Sequence, residues 1–285
     1  MSSAELPDLA LTGSTGHVGG DLARRLSEAQ VPMRLLVRTP SKAPDLSGAV
    51  VLESHYADDE VTRRSLEGVR TLFLVSAHET EQRLEQQLAL IDAAAAAGVQ
   101  HVVYTSFAAA APEATFTFAR THFATEEHLK ASGMSWTMLR DSFYIDFMEG
   151  LVGEDGVISG PGGDGACAVV TRADVARVAA AILQDPEPHR NRTYDLTGPQ
   201  ALTLIEIAEI IGRVRHREVI YHDETLREAY ASRAGYGAPQ WQLDAWVSTY
   251  TAIADGSMAH VSDDVERLTG QKPTSLEEFL LQEQV

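Results

Sequence analysis

A single cysteine, Cys167, stands in 285 residues, so no internal disulfide framework can form, which agrees with a reducing compartment. The thiol itself reads as a small buried hydrophobe. Long apolar runs are also missing. The alanine stretches at 93–97 and 108–111 fall far short of the roughly 18 consecutive apolar residues that a membrane span requires. Met1 to Asp8 carry neither a basic flank nor an apolar run, so no signal peptide or anchor is read there. Positive charge is scarce: 23 Lys and Arg against 41 Asp and Glu give a formal net charge of -18. That field repels a phosphate backbone, and no Lys/Arg cluster longer than a pair interrupts it, so direct nucleic-acid binding is not expected. The ten histidines are scattered, with no His-x-His or His-Glu-x-x-His spacing, and no metal is expected. These absences leave a globular chain with a cytoplasmic location.

What is present is a repeating alternation. Short β-branched runs at Leu9–Thr12, Met33–Val37, Val50–Glu53, Thr71–Val75, His101–Thr105 and Trp136–Leu139 read as strands. Between them Val18–Ala29, Asp59–Leu66, Glu79–Ala97 and Thr115–Ser132 carry apolar residues at helical spacing. Gly68, Gly98 and Gly133 each fall just past a helix, where a left-handed cap favours glycine. Strands alternating with helices indicate βαβ units and a parallel sheet. After Arg140 the texture changes. The glycine-rich stretch 150–165 reads as a crossing loop between lobes, followed by a helix at Ala173–Leu183 and a strand at Thr193–Leu196. Thr203 and Glu206 then form a capping box that opens another helix. A strand at Glu218–Tyr221 and helices at Asp223–Ala231 and Pro239–Ala254 complete a smaller C-terminal lobe. The expected division is a dinucleotide-binding domain at 1–150, with 171–198 packing back onto it, and a smaller lobe at 151–170 and 199–285.

The segment from Thr12 to Gly19, Thr-Gly-Ser-Thr-Gly-His-Val-Gly, follows the first strand directly and runs into the first helix. Gly13 permits a tight turn, Gly16 lets backbone amides approach a pyrophosphate, and Gly19 allows the helix to pack on the strand. The anion then sits at the positive end of a helix. In this context the loop Thr12, Gly13, Ser14, Thr15, Gly16, His17, Val18 and Gly19 reads as the phosphate-binding turn of a Rossmann-type doubly wound α/β fold. At the end of the second strand an acid would accept hydrogen bonds from a ribose 2′-hydroxyl, whereas a base accommodates a 2′-phosphate. Here there is no acid; Arg38 occupies the place, with Lys42 one turn on. The reading is NADPH in preference to NADH.

With that loop, Val37-Arg38-Thr39-Pro40, Glu67-Gly68-Val69 and Tyr104-Thr105-Ser106 in place, the chain resembles an atypical short-chain dehydrogenase/reductase of the NmrA-like branch. The likeness continues through His122, Thr125-Glu126, Ser132-Gly133, Leu139-Arg140, Phe143-Tyr144, Thr171 to Ala176 and Leu268-Thr269-Gly270, nearly the whole chain. Within that branch the pattern is that of NADPH-dependent quinone reductases and triphenylmethane-dye reductases. The resemblance implies hydride transfer to a flat conjugated acceptor and a small lobe closing over the nicotinamide. Three positions depart from the pattern. His55 stands where the family carries an adenine-side acid, Glu127 where these reductases carry a lysine, and Asp141 where many members have Asn or Pro.

The Tyr-x-x-x-Lys pair of typical short-chain dehydrogenases, in which the lysine lowers the tyrosine pKa, is missing after Ser106. His122 and Glu126 lie on one helical face instead. Ser106 and His122 are therefore the catalytic candidates, His122 standing equally as an ordinary helix histidine satisfied by its neighbours. Ser76, Ala77, Thr105 and Ser106 end two strands in the crevice where open α/β sheets bind ligands and are assigned to the cofactor. His78, Phe107, Asp141, Phe143 and Tyr144 are assigned to the substrate pocket, with core packing the ordinary alternative for the aromatics. Two functions follow: an NAD(P)H-dependent oxidoreductase acting on a quinone-like or other conjugated acceptor, or a redox sensor that binds the dinucleotide without turnover and signals to a protein partner. An epimerase or tailoring reductase is a third, which ordinarily needs the missing tyrosine. A monomer or a homodimer is expected.

Overall fold

The computed structural model describes residues 6–283. In chain order the elements are β1 (Leu9–Thr12), α1 (His17–Glu28), β2 (Met33–Val37), β3 (Ala49–Glu53), α2 (Glu60–Leu66), β4 (Thr71–Leu74), α3 (Arg83–Ala96), β5 (His101–Phe107), α4 (Thr117–Ala131) and β6 (Ser135–Asp141). They continue with β7 (Val157–Gly160), β8 (Ala166–Cys167), α5 (Arg172–Gln184), β9 (Arg192–Leu196), β10 (Leu202–Thr203), α6 (Leu204–Arg215) and β11 (Ile220–Asp223). Helices α7 (Leu226–Arg233), α8 (Gln240–Ala254), α9 (Asp264–Thr269) and α10 (Leu276–Gln282) finish the chain.

Seven strands form one sheet in the order β3-β2-β1-β4-β5-β6-β9. The pairs β3 with β2, β2 with β1, β1 with β4 and β4 with β5 run parallel, Leu11 lying opposite both Leu35 and Phe73. Every residue of β1, β2 and β5 is buried, as strands covered on both faces must be. Strand β3, at the edge, is only partly covered. Helix α1 forms because Val18, Leu22 and Leu26 recur at helical spacing and bury one stripe. The chain runs outward from β1 to β3 and returns to β4 on the other side of β1. That reversal opens a crevice beyond the carboxyl ends of β1 and β4.

The chain divides into two compact units. The first holds the residues up to Ser106 with Thr121–Arg140 and Val175–Tyr194; the second holds Phe107–Arg120, Asp141–Asp174 and the chain from Asp195. The first unit's core is built from such residues as Leu66, Leu72, Leu90, Ile91, Val102 and Leu129. The second unit's core gathers Ile145, Ile158, Leu204, Ile207, Ile211 and Leu280.

The glycine-rich stretch 150–165 is not simply a loop. It contains β7, which pairs in parallel with β11, and it runs into β8, which pairs antiparallel with β10. At Gly160 an added Cβ would sit 2.2 Å from the Tyr250 ring, so the glycine there serves close packing. The strand expected at Glu218–Tyr221 runs from Ile220 to Asp223, because its register is fixed by β7. The helix expected from Asp223 begins at Leu226, since Thr225 supplies the N-cap and Glu228 closes a capping box. Helices α9 and α10 were not anticipated, although Ser275 and Glu278 form a capping box as well. Helix α3 starts at Arg83 rather than Glu79, where Arg83 N–H bonds to Thr80 O in a preceding turn. Among the described residues no helix is long and apolar enough to cross a membrane.

Candidate functional site

A cavity of about 510 Å³ lies in the first unit. One side is the turn after β1. Gly13 adopts φ +68°, where an added Cβ would lie 2.8 Å from the Val75 side chain; only glycine takes both the angle and the approach without strain. Gly13 O accepts the Gly16 N–H at 2.9 Å and closes the turn. At Gly19 a Cβ would come within 2.4 Å of Gly13 O, so the first turn of α1 packs directly on the loop backbone. Helix α1 has no side-chain cap at Gly16, which leaves its first amides to another partner. Ser14 is buried, yet its Oγ has no hydrogen-bond partner.

Gly13, Thr15, Gly16, Arg38, Ser76, Ala77 and His78 all line this cavity. Thr12 does not; it laces two strand ends together, its hydroxyl accepting the Val75 N–H at 2.9 Å and donating to Phe73 O at 3.3 Å. His17, Val18 and Gly19 lie within α1, and Lys42 is exposed on a short turn after β2. The structure adds Ser54 and Tyr56, unassigned from the sequence, and His55, the position of the family's adenine-side acid in the resemblance, to the lining. The Tyr56 hydroxyl donates to Val75 O at 2.6 Å and lies 2.9 Å from Thr12 Oγ1. Burial pushes this phenol up to about 12. His55 Nδ1 lies 2.9 Å from Asp59 Oδ2, and that hydrogen bond raises the imidazole above its ordinary value. Asp59 is held down to about 2, first by the Thr62 N–H and then by His55.

The wall formed by Ser76 and Ala77 is tied down from behind. Ser76 N–H donates to Thr105 Oγ1 at 2.8 Å, Ala77 N–H donates to Gln87 Oε1 at 3.0 Å, and Arg83 Nε donates to Ala77 O at 3.0 Å. Thr105 thus supports the wall. Arg83 and Gln87 were not singled out in the sequence; their signal was polar side chains at i, i+4 on a helix stripe that otherwise buries. Tyr104, on β5, entered only as part of the Tyr104-Thr105-Ser106 motif.

His122 is buried in the first unit, its Nε2 2.8 Å from an Arg83 guanidinium nitrogen and its Nδ1 2.9 Å from the Tyr104 hydroxyl. Burial, and next the Arg83 charge, hold it well below the usual histidine value. Ser106, also buried, donates to Glu126 Oε1 at 2.6 Å, and Glu126 in turn receives a bidentate pair from Arg140 at 2.9 and 2.7 Å. Glu127, where the resemblance led one to expect a lysine, is exposed and binds Lys130 Nζ at 2.8 Å.

The remaining pocket candidates fall in the second unit. Phe107, Phe116 and Phe143 meet in tilted and edge-to-face contacts with centroids 4.9 to 5.2 Å apart and join the core of that unit. Asp141 is buried and accepts the Tyr144 hydroxyl at 2.5 Å. Burial, and then the Asp141 charge, keep the Tyr144 phenol well above its ordinary value, and the Arg172 guanidinium lies 5.2 Å over the Tyr144 ring. A second cavity of about 480 Å³, lined by the segment 109–116 with Ala119, Ser257 and Met258, also belongs to this unit.

The comparisons agree over nearly the full length. The model of the NmrA-like family matches residues 7–280. The chain is 31% identical over 279 residues to the NAD(P)H azoreductase of Xenophilus azovorans, covering 95% of this chain and 96% of that one. Among solved structures it is similar to the NADPH-dependent quinone oxidoreductase of Escherichia coli complexed with NADPH, with a TM-score of 0.88 and 30% identity over 97% of this chain and 100% of that one. The triphenylmethane reductase of Citrobacter sp. complexed with NADP(H) superposes with a TM-score of 0.86 at 30% identity over the same shares.

Proposed function

The chain belongs to the NmrA-like family, and we propose that it is an NADPH-dependent oxidoreductase that transfers hydride to a quinone-like or other conjugated small-molecule acceptor. The observation that carries the reading is the cavity of about 510 Å³ in which a glycine turn and Arg38 meet. Three features of the turn and helix that border that cavity fit a phosphorylated dinucleotide. Helix α1 opens without a side-chain cap, Ser14 Oγ is buried without a partner, and a Cβ at Gly13 or Gly19 would clash. Gly13 to Gly16 and the α1 amides would hold the pyrophosphate, and Arg38 the 2′-phosphate. The relatives named above, which reduce quinones, azo compounds or dyes by their names, support the same reading.

Bound there, NADPH supplies a hydride, which leaves NADP⁺. Both catalytic candidates, Ser106 and His122, and the pocket phenol Tyr144 are already engaged. Ser106 donates to a carboxylate, His122 stays neutral between two partners, and Tyr144 keeps its proton on Asp141. An acceptor therefore has to yield an anion weakly basic enough to take its proton from water, as a hydroquinone anion does. The balance is quinone plus NADPH plus one proton to hydroquinone plus NADP⁺. The test is NADPH absorbance with purified protein against quinones, azo and triarylmethane dyes and an aliphatic ketone. Turnover of the conjugated compounds with little on the ketone is expected. Tight NADPH binding with no turnover on any of them would replace this reading with the sensing one.

A further inference from the structure

Ser76 to His78 face the cavity and belong to no strand or helix, so their shape is set by what grips them. Both polar groups of Ala77 are claimed from behind by α3, the N–H by Gln87 and the carbonyl by Arg83. A guanidinium has only donors, so His122 Nε2, 2.8 Å from Arg83, must present its lone pair. The ring proton then sits on Nδ1 and is given to the Tyr104 oxygen at 2.9 Å. Tyr104 in turn donates to Gln87 Oε1 at 3.3 Å, and Gln87 Nε2 donates to Thr125 Oγ1 at 2.8 Å. Every hydrogen bond in the chain has one direction only, and all five side chains are buried.

We propose that Arg83, Gln87 and His122 are positioning residues for the dinucleotide: His122 aims Arg83 as a neutral acceptor, and Arg83 with Gln87 fixes the Ala77 peptide as one wall of the cofactor cavity. The wall also abuts the phosphate turn, since Val75 is the residue a Cβ at Gly13 would strike. The inference rests on the proposed reading only in naming the cavity's ligand. A buried network with such direction is worth more than its separate pairs when complete, and loses more when one member cannot answer.

The experiment uses the full chain and NADPH itself, with dissociation constants from calorimetric titration, KM and kcat on the best quinone, and thermal midpoints without ligand. His122→Phe keeps the volume and removes the acceptor. His122→Gln restores an acceptor for Arg83. Arg83→Lys offers a single point charge in place of a fork that reaches both Ala77 O and His122. The first and third are expected to raise the NADPH dissociation constant and KM by about 10-fold or more, as for loss of hydrogen bonds to a charged group, with kcat changed far less. His122→Gln is expected to stay within about 3-fold of the parent. Thr125→Val, which frees the Gln87 amide without touching the wall, gives a milder case should His122→Phe fail to fold. Parental affinity in His122→Phe and Arg83→Lys, or in Thr125→Val and Arg83→Lys where His122→Phe does not fold, overturns the proposal. So does a His122→Gln variant as defective as His122→Phe. A parent protein that binds no NADPH would instead defeat the cofactor reading beneath it.

Discussion

Arg38 and Lys42 are a turn apart in sequence, and the sequence gives no reason to separate them. In the structure Arg38 lines the cavity while Lys42 is exposed on the next turn. A charge-assisted contact contributes about 1.5–3 kcal/mol, so Arg38→Ala should narrow the NADPH over NADH preference by roughly ten-fold or more while Lys42→Ala leaves it within about two-fold. Titration of both cofactors on both variants decides it; equal effects of the two substitutions would mean the 2′-phosphate contact is not Arg38's. Gly19→Ala makes a second residue-scale case. Its Cβ would stand 2.4 Å from a backbone oxygen rather than from a flexible side chain, and overpacking of that kind typically destabilises by about 1–3 kcal/mol. Denaturant unfolding should show that loss, together with weaker dinucleotide binding from the shifted loop.

At the scale of elements, what could be read depended on where each partner lies. Helix α1 and strands β1, β2 and β5 carry their own pattern, because a stripe of Val18, Leu22 and Leu26 or a continuous buried run states its burial locally. Strands β7 and β8 carry almost none. Their residues are short and glycine-flanked, and they become strands through partners more than thirty residues away. Helix α7 shows how a local rule fixes a boundary once the right residue is chosen: Thr225 and Glu228 cap each other's turn. Thr225→Ala should destabilise by about 1 kcal/mol, the usual effect of losing an N-cap. Circular dichroism and urea unfolding would measure it, and an unchanged midpoint would mean that packing of α7, not its cap, holds the start.

Across the whole molecule, charge and buried histidine govern the response to pH. Burial holds His101 down to about 4 and lowers His122 well below its usual value, whereas both would titrate near 6.5 in the unfolded chain. Above that value both states are neutral and neither histidine matters. As pH falls from about 6.5 toward 4 the unfolded chain binds protons that the folded one refuses, so stability declines, by up to about 1.4 kcal/mol per pH unit for each group. Asp59, at about 2 in the fold, contributes stability that is lost only below the ordinary carboxylate range. The window from pH 7 to 5 lies above that loss, and in it the two buried histidines work against the part-exposed His55, whose raised value gives the opposite sign. Thermal midpoints should fall across it, and His101→Gln should flatten the slope. A slope unchanged by that variant would assign the acid response elsewhere.

By itself the sequence determined the parallel sheet and the glycine turn after its first strand, and it carried the expectation of a dinucleotide at that turn. Each of these depends on residues adjacent in the chain or on a period within one element. Only the tertiary structure decided what His122 and Ser106 bond to. A histidine titrates or stays neutral according to what its two nitrogens meet, and Arg83 and Tyr104, 39 and 18 residues away, meet them here. Ser106 reads from the sequence as a hydroxyl at a strand end; that it donates a hydrogen bond to the buried Glu126, which Arg140 pairs in turn, depends on residues 20 and more positions away. Burial and long-range hydrogen bonding set the chemistry of a polar side chain, and neither is a property of its neighbours in sequence.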